Sequence, residues 1–450
     1  MPLFKIRKLE IEPCKHNSDD EYDLNNKTFY VIIFFMKVNF IKKIVNGYNS
    51  ISLILRIVIG IIVGSLLGIF LSSLNWIGIF GDLFVGALKA IAPVLVFALV
   101  SSSLVKGKAK LVRRFGRVIF LYMISTFLAS FIAVIASFLF PQTITLVQKA
   151  DIASAPVGIG QVLKNLLVNA ISNPIDAIAK ANYIGILTWS IIFGIVMKKI
   201  ASENTKNLFT EIADGISQIV RGIINLAPFG ILGLVFTTVS TNGLGIFKNY
   251  GTLILVLVGA MLFMALIVSP AIVAITLRIN PYPLVFKCLK ESGITAFFTR
   301  SSAANIPVNL ELCKKLNLDE DMYSVSIPLG ATINMDGAAI TIAIMTLAAA
   351  NTLGISYDIG SALILCVLAT LGACGASGIA GGSLLLIPLA CSLFGISNDI
   401  AMQVVGVGFI IGVVQDSMET GLNSASDVLF TATAEYLSWK KQGKTIPKKF

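Results

Sequence analysis

Gly372-Ala373-Cys374-Gly375-Ala376-Ser377-Gly378-Ile379-Ala380-Gly381-Gly382-Ser383 lies at the centre of 359–398, a 40-residue stretch with no charged side chain. Two membrane-crossing lengths of roughly 20 residues would fit there, with no polar turn between them. A straight helix is disfavoured, because each glycine in a helix interior costs roughly 1 kcal/mol relative to alanine. The region 357–398 therefore reads as two apolar arms meeting at a Gly/Ser tip. A glycine-rich helix packed tightly on its neighbours is the alternative.

A second segment, 284–316, is moderately apolar, yet its centre is Thr299-Arg300-Ser301-Ser302-Ala303-Ala304-Asn305-Ile306-Pro307. Cationic loops flank both sides, so both ends belong on one face of a membrane. A re-entrant hairpin permits this. Its non-helical tip must be buried in protein or line a wet cavity, since lipid cannot satisfy free backbone groups. Two hairpins entering from opposite faces, each followed by a broken polar span, form an inverted repeat. That pattern points to a secondary transporter with a site near the midplane.

Composition agrees. Of 450 residues, 56% are hydrophobic and 13% charged, with mean hydropathy +0.86. Soluble domains carry about 25% charged residues. A disordered chain, a coiled coil and a nucleic-acid-binding domain are excluded, and no nucleic-acid partner is expected. The class is an all-α polytopic membrane protein in the lipid bilayer. Net charge +11 marks cytoplasmic loops rather than a nucleic-acid surface. The cysteines, Cys14, Cys288, Cys313, Cys366, Cys374 and Cys391, form no CxxC pair and read as small packing residues. The one histidine, His16, lies in a polar N-terminal stretch. Zinc sites and histidine acid–base chemistry are nearly excluded.

Eight spans are expected. They are Ile57–Leu74, Ala90–Val105, Val118–Gln148, Ala181–Met197, Gly222–Phe247, Asn249–Leu277, Met322–Tyr357 and Ile400–Ala434. Lysines and arginines gather before the first span, at 106–117, at Lys198 and Lys199, at Lys314 and Lys315, and in the tail 438–450. Loops 141–156 and 241–250 carry few cations. Both termini are then cytoplasmic, in a bacterial inner membrane. Lys89 is read as snorkelling to the surface. Residues 1–35 differ from the rest. Met36-Lys37-Val38-Asn39 is the expected true start, with a genuine disordered tail as the alternative.

The seventh span contains Asn334-Met335-Asp336-Gly337. A charge at bilayer depth costs several kcal/mol and needs a partner or a purpose. On a regular helix Asn334 and Asp336 point about 200° apart. Unwinding, allowed by Gly337, would turn both into one cavity. Carbonyls and one carboxylate, without Cys or His, suit a hard cation such as sodium. A purely structural buried Asp is the competing reading. The eighth span places Asp416, Thr420, Asn423 and Asp427 within about 60° of one another, with Glu419 at the edge. Acids on one buried face repel unless cations lie between them. Substrate ammonium and sodium are the candidates. In the third span Tyr122, Ser125 and Thr126 share a face. They suit a cation, although such hydroxyls more often make ordinary helix-packing bonds.

Taken together, the serine-rich tip, Asn334–Gly337, the Gly-rich tip and Asp416–Asp427 resemble the dicarboxylate/amino acid:cation symporter family, the glutamate-transporter fold. The resemblance runs from about Met36 to Glu435, and is strongest to its bacterial sodium-coupled serine/threonine members. It implies a homotrimeric elevator-type carrier, not an enzyme. Spans one, two, four and five (36–117 and 149–248) would form a scaffold. The third span (118–148) and residues 249–437 would form the moving unit. Asp416 would hold the substrate ammonium. Ser302, Thr420 and Asn423 would hold its carboxylate and neighbouring groups, with Arg300, Gly378 and Ser383 at the tips. Gly330, Asn334, Asn423 and Asp427 would form one sodium site. Backbone near Thr332 and Ala373–Ala376 would form a second. Asn334, Asp336, Tyr122, Ser125 and Thr126 would form a third.

Members that carry acidic amino acids have arginine where this chain has Glu419, and threonine where it has Ala338. An acid at 419 repels an acidic substrate and accepts a hydrogen bond from a hydroxyl. A small neutral substrate such as serine or threonine is expected. Other small neutral amino acids or a dicarboxylate are the alternatives. Arg300 could reach the pocket edge and neutralise Glu419 or its neighbours, and an Arg300–Glu419 pair would weaken the argument. An intramembrane acid protease and a passive channel are the other classes. The first needs two Asp on facing helices, and the hairpins argue against the second.

Overall fold

A computed structural model describes residues 47, 48, 50–106, 109–146, 164, 167–243, 245–375 and 381–447. The expectations for residues 1–36, for most of 141–156 and for Gly378 lie outside the described residues. The chain divides into an N-terminal unit, Met1–Arg56, and a main unit, Ile57–Phe450. Within the first, the Arg56 guanidinium lies 4.0 Å over the Tyr48 ring.

All described regular structure is helical. The order is α1 (Leu53–Phe70), α2 (Gly78–Lys106), α3 (Ala109–Leu139), α4 (Pro174–Ala179), α5 (Tyr183–Ile200), α6 (Glu203–Asn225) and α7 (Ala227–Asn242). Then come α8 (Ile246–Phe263), α9 (Ser269–Leu277), α10 (Tyr282–Cys288), α11 (Ile294–Thr299), α12 (Ser302–Lys315), α13 (Glu320–Ile333), α14 (Asp336–Thr352), α15 (Ile359–Ala373), α16 (Ile387–Leu393) and α17 (Asn398–Lys441). Six helical stretches are long and apolar enough to cross a membrane, or seven if the bent α6–α7 pair is one span. The surface has the matching polarity. Ile59, Leu255 and Ile275 are exposed, whereas every residue of α14 from Asp336 to Ala350 is buried. Apolar groups face outward and polar groups inward, as a bilayer solvent requires. The chain is a multi-pass membrane protein.

Some boundaries differ from expectation. The first expected span is the short α1. The fifth, Gly222–Phe247, begins inside α6. Pro228 opens α7 after a 52° bend, because proline has no N–H to continue the α6 ladder. The sixth is one path, with a π turn at Met264–Val268 joining α8 to α9. Pro270 cannot donate to the Leu266 carbonyl. The Tyr282 hydroxyl donates to it instead, at 3.2 Å. The seventh is broken, since α13 stops at Ile333 and α14 starts at Asp336. The eighth is the unbroken α17.

Helix α2 packs against α5, α6 and α7, while α3 packs against α8, α14 and α15. Helices α11 to α14 and α16 all rest on α17. α1 reaches α7 through Gly60, Gly64 and Gly68. A Cβ at Gly60 or Gly64 would stand 2.4 or 2.5 Å from the Pro228 or Leu232 carbonyl oxygen. This small-residue spacing lets two membrane helices approach backbone to backbone.

The segment 284–316 is a helix–turn–helix. α10 runs through a π turn at Leu289–Gly293 into α11, which packs on α12. The break is narrower than the expected tip Thr299–Pro307. Only Arg300 and Ser301 are non-helical, and Pro307 lies inside α12. Arg300 ends α11 in the left-handed conformation (φ 51°), and Ser301 caps α12 by accepting from the Ala304 amide at 3.2 Å. The segment 359–398 also doubles back, with α15 packing on α16. The five free cysteines among the described residues are buried or half-buried, in keeping with packing roles.

Candidate functional site

The site is built on α17, whose buried polar stripe faces both helix–turn–helix tips and the α13–α14 break. Asp416 is the meeting point. Arg300, on the first tip, donates through Nε to Asp416 Oδ2 at 2.7 Å. Gly381, beside the second tip, donates its backbone N–H to Asp416 Oδ1 at 3.2 Å. Gly381 has φ +70°, a conformation that suits glycine and aims this amide. One carboxylate thus joins segments separated by more than eighty residues. The sequence left Arg300 to neutralise Glu419 or one of its neighbours, and the ion pair forms with the neighbour Asp416. The left-handed turn at Arg300 carries the guanidinium there.

Glu419 has a different shell. Its Oε2 accepts from Thr341 Oγ1 at 2.7 Å, Ser383 Oγ at 2.9 Å and Gln415 Nε2 at 2.5 Å. Gln415 Nε2 also donates to Thr341 Oγ1 at 2.7 Å. Sequence reasoning missed Thr341 and Gln415. Gln415 carried a signal, since it lies one helical turn before Glu419. Thr341 carried none, because only the packing of α14 on α17 brings it there.

The remaining members of the stripe turn toward the broken span. Asn423 Oδ1 accepts the Gly337 amide at 2.7 Å. Thr420 donates to the Asp416 carbonyl at 2.8 Å, within its own helix. Ser302 is buried at the start of α12, and no hydrogen bond joins it to Thr420 or Asn423. Asn334 Nδ2 donates to Ser426 Oγ at 2.7 Å and Asp427 Oδ1 at 2.9 Å. Asn334 Oδ1 and Asp427 Oδ2 are buried with no hydrogen-bond partner among the described residues. The Gly330 carbonyl accepts the Asn334 amide at 2.9 Å. A Cβ at Gly330 would stand 2.6 Å from Asp427 Oδ1, so glycine is what fits. The Thr332 hydroxyl turns back to the Leu329 carbonyl at 2.7 Å. Nearby, Cys374 at the end of α15 donates weakly to the Ile333 carbonyl at 3.5 Å.

Asp336 accepts from Ser125 at 2.7 Å and Thr126 at 3.1 Å, one hydroxyl on each oxygen. The Tyr122 hydroxyl does not join them. It donates toward the Asp427 carbonyl at 3.1 Å and lies 2.9 Å from Thr431 Oγ1. The unwinding expected between Asn334 and Asp336 occurs at Asn334 and Met335. Gly337 itself is helical, and a Cβ there would sit 2.7 Å from Glu419 Cα. Its smallness serves close approach to α17.

A further buried network was not foreseen. Asn305 donates to Ser424 Oγ at 2.7 Å, Asn309 to the Ser424 carbonyl at 3.1 Å, and Ser292 to Asn309 at 2.5 Å. It fastens both arms of the first helix–turn–helix to α17. Lys89 is half-exposed but does not simply snorkel. It pairs with Asp399 in the first turn of α17.

Asp336, Asp416, Glu419 and Asp427 are all buried. Arg300–Asp416 is the one ion pair any of them makes among the described residues. Buried acids without partners are costly.

Similarity to known proteins agrees with this chemistry. The family model described as the sodium:dicarboxylate symporter family matches residues 53–437. The serine/threonine transporter SstT of Bifidobacterium adolescentis is 62% identical over 411 residues, covering 90% of this chain and 96% of that protein. SstT of Streptococcus thermophilus is 58% identical over 401 residues, covering 89% of this chain and 100% of that protein. On this match the chain belongs to the sodium:dicarboxylate symporter family.

Proposed function

We propose that the protein is a sodium-driven symporter that takes up L-serine and L-threonine across a bacterial cytoplasmic membrane. The observation that carries this reading is the pair of unlike carboxylates at the tips. Asp416 already receives one cation, Arg300, and one amide, Gly381. A substrate ammonium replacing Arg300 keeps the same charge balance. Glu419 stands where an acidic side chain would be repelled and a hydroxyl accepted. The similarity to SstT proteins supports the same substrates. Other small neutral amino acids or dicarboxylates are the second reading, and Glu419 disfavours the acids.

Ser302, Thr420 and Asn423, with tip amides, hold the substrate carboxylate. Gly378 and Ser383 close over it from the second tip. Sodium is carried as a co-substrate. The buried oxygens Asn334 Oδ1 and Asp427 Oδ2, without donors, fit a hard cation beside Gly330 and Asn423. Backbone near Thr332 and 373–376 offers a second site. Asp336, Ser125 and Thr126, with Asn334 and Tyr122 nearby, offer a third. Eight spans and two re-entrant hairpins, with both termini cytoplasmic, make an elevator. The scaffold is 36–117 with 149–248, and the moving unit is 118–148 with 249–437. Three protomers associate.

The test is labelled L-serine uptake into proteoliposomes under an inward sodium gradient, with potassium as the control. Uptake that needs sodium and is blocked by threonine but not aspartate supports the reading. Block by aspartate, or uptake indifferent to sodium, overturns it.

A further inference from the structure

We propose that Thr341 and Gln415 are positioning residues that select a hydroxyl-bearing substrate, by loading one oxygen of Glu419 and presenting the other. The inference rests on the transport reading above. All three donors to Glu419 fall on Oε2, at 2.5, 2.7 and 2.9 Å. Oε1 accepts none among the described residues. An ionised carboxylate has about four lone-pair sites, two on each oxygen. Three donors crowd the two sites of Oε2, and Oε1 is available. Thr341, Gln415 and Ser383 are themselves buried, so the clamp has no solvent to compete for its bonds.

The clamp also removes donors. Gln415 Nε2 is divided between Glu419 and Thr341, and the Thr341 hydroxyl hydrogen goes to Glu419. No spare donor remains there for an acidic side chain. The amide oxygen of Gln415 is buried and has no hydrogen-bond partner among the described residues. The surroundings of Glu419 therefore offer acceptors, which is the polarity a hydroxyl donor needs. Serine and threonine each bring one such hydrogen. Alanine brings none and leaves a charged acceptor without its donor. A site built to bond a substrate hydroxyl discriminates strongly against the analogue lacking it. Thr341 and Gln415 fix which oxygen faces the substrate and in which direction, without touching the substrate themselves.

The experiment measures inhibition of sodium-driven serine uptake by unlabelled serine, threonine and alanine. It uses wild-type protein, Thr341→Val, Thr341→Ser and Gln415→Met, each reconstituted after its thermal unfolding is checked. Thr341→Val is expected to lower the preference for serine over alanine roughly tenfold, the scale of one hydrogen bond to a charged group. Thr341→Ser restores the hydroxyl and the preference. Gln415→Met shifts the preference the same way, and decides the matter if Thr341→Val does not fold. Equal loss of serine and alanine affinity in these variants, or an unchanged preference, overturns the inference alone. Wild-type protein that takes up neither serine nor threonine overturns the transport reading and this inference with it.

Discussion

Arg300 and Asp416 show what a buried pair means in a carrier. Removing one partner of such a pair costs about 3–5 kcal/mol, because the other charge is left without a counterion. Asp416→Asn should therefore destabilise the substrate-free protein. Asp416→Asn with Arg300→Met should destabilise it less than the sum of the single changes, as read by thermal unfolding. Additive effects would detach Arg300 from Asp416. In transport, Asp416→Asn should weaken serine roughly a hundredfold, the upper scale of a charged hydrogen bond. Glu419→Arg should weaken serine and admit aspartate as a competitor. Unchanged serine affinity in that variant would remove Glu419 from the pocket. Gly337→Ala forces a methyl to within 2.7 Å of Glu419 Cα and should cost about 1–3 kcal/mol by overpacking. The four buried acids were legible in the sequence, because a carboxylate among apolar residues stands out. Their partners were not. Thr341 is an ordinary residue of an apolar helix until α14 meets α17, and Arg300 reaches Asp416 only through a left-handed turn.

The two helix–turn–helix segments and the broken α13–α14 span were readable at the level of the element. A glycine-rich tip, a polar tip between cationic flanks and an Asn-Met-Asp interruption each contradict a straight apolar helix. The bend after Asn225 was not readable as a boundary. α6 is amphipathic and carries Glu203, Lys206, Glu211, Asp214 and Arg221, while α7 is apolar, so the uncharged run 222–247 blurred two elements into one. The π turn before Pro270 follows from proline chemistry, but its remedy, the Tyr282 hydroxyl, is tertiary. The α1–α7 contact gives an element-scale prediction. Gly64 faces the Leu232 carbonyl oxygen at 2.5 Å from a built Cβ. Gly64→Leu should push the helices apart and lower the unfolding temperature in detergent. Gly86→Leu, where nothing lies within 4 Å, should change it little. Equal effects would mean that the close approach is not what holds α1 to α7.

Across the described residues, contacts gather around α2, α5, α6 and α7 and around α3, α14 and α17, with α17 also touching α2 and α7. The Lys89–Asp399 pair joins the two sets. Composition and loop charge alone indicated a polytopic membrane protein; association of protomers rests on the resemblance. Cross-linking in native membranes should trap species up to three copies, and a ceiling of two would contradict the trimer. On the proposed function, one α17 stripe binds a neutral hydroxy amino acid together with sodium. Calorimetric titration of the purified protein tests this most directly, with serine and with aspartate, each in sodium and in potassium. Serine should bind in sodium alone, and aspartate should bind in neither. Aspartate binding as tight as serine, or serine binding as well in potassium, would contradict it.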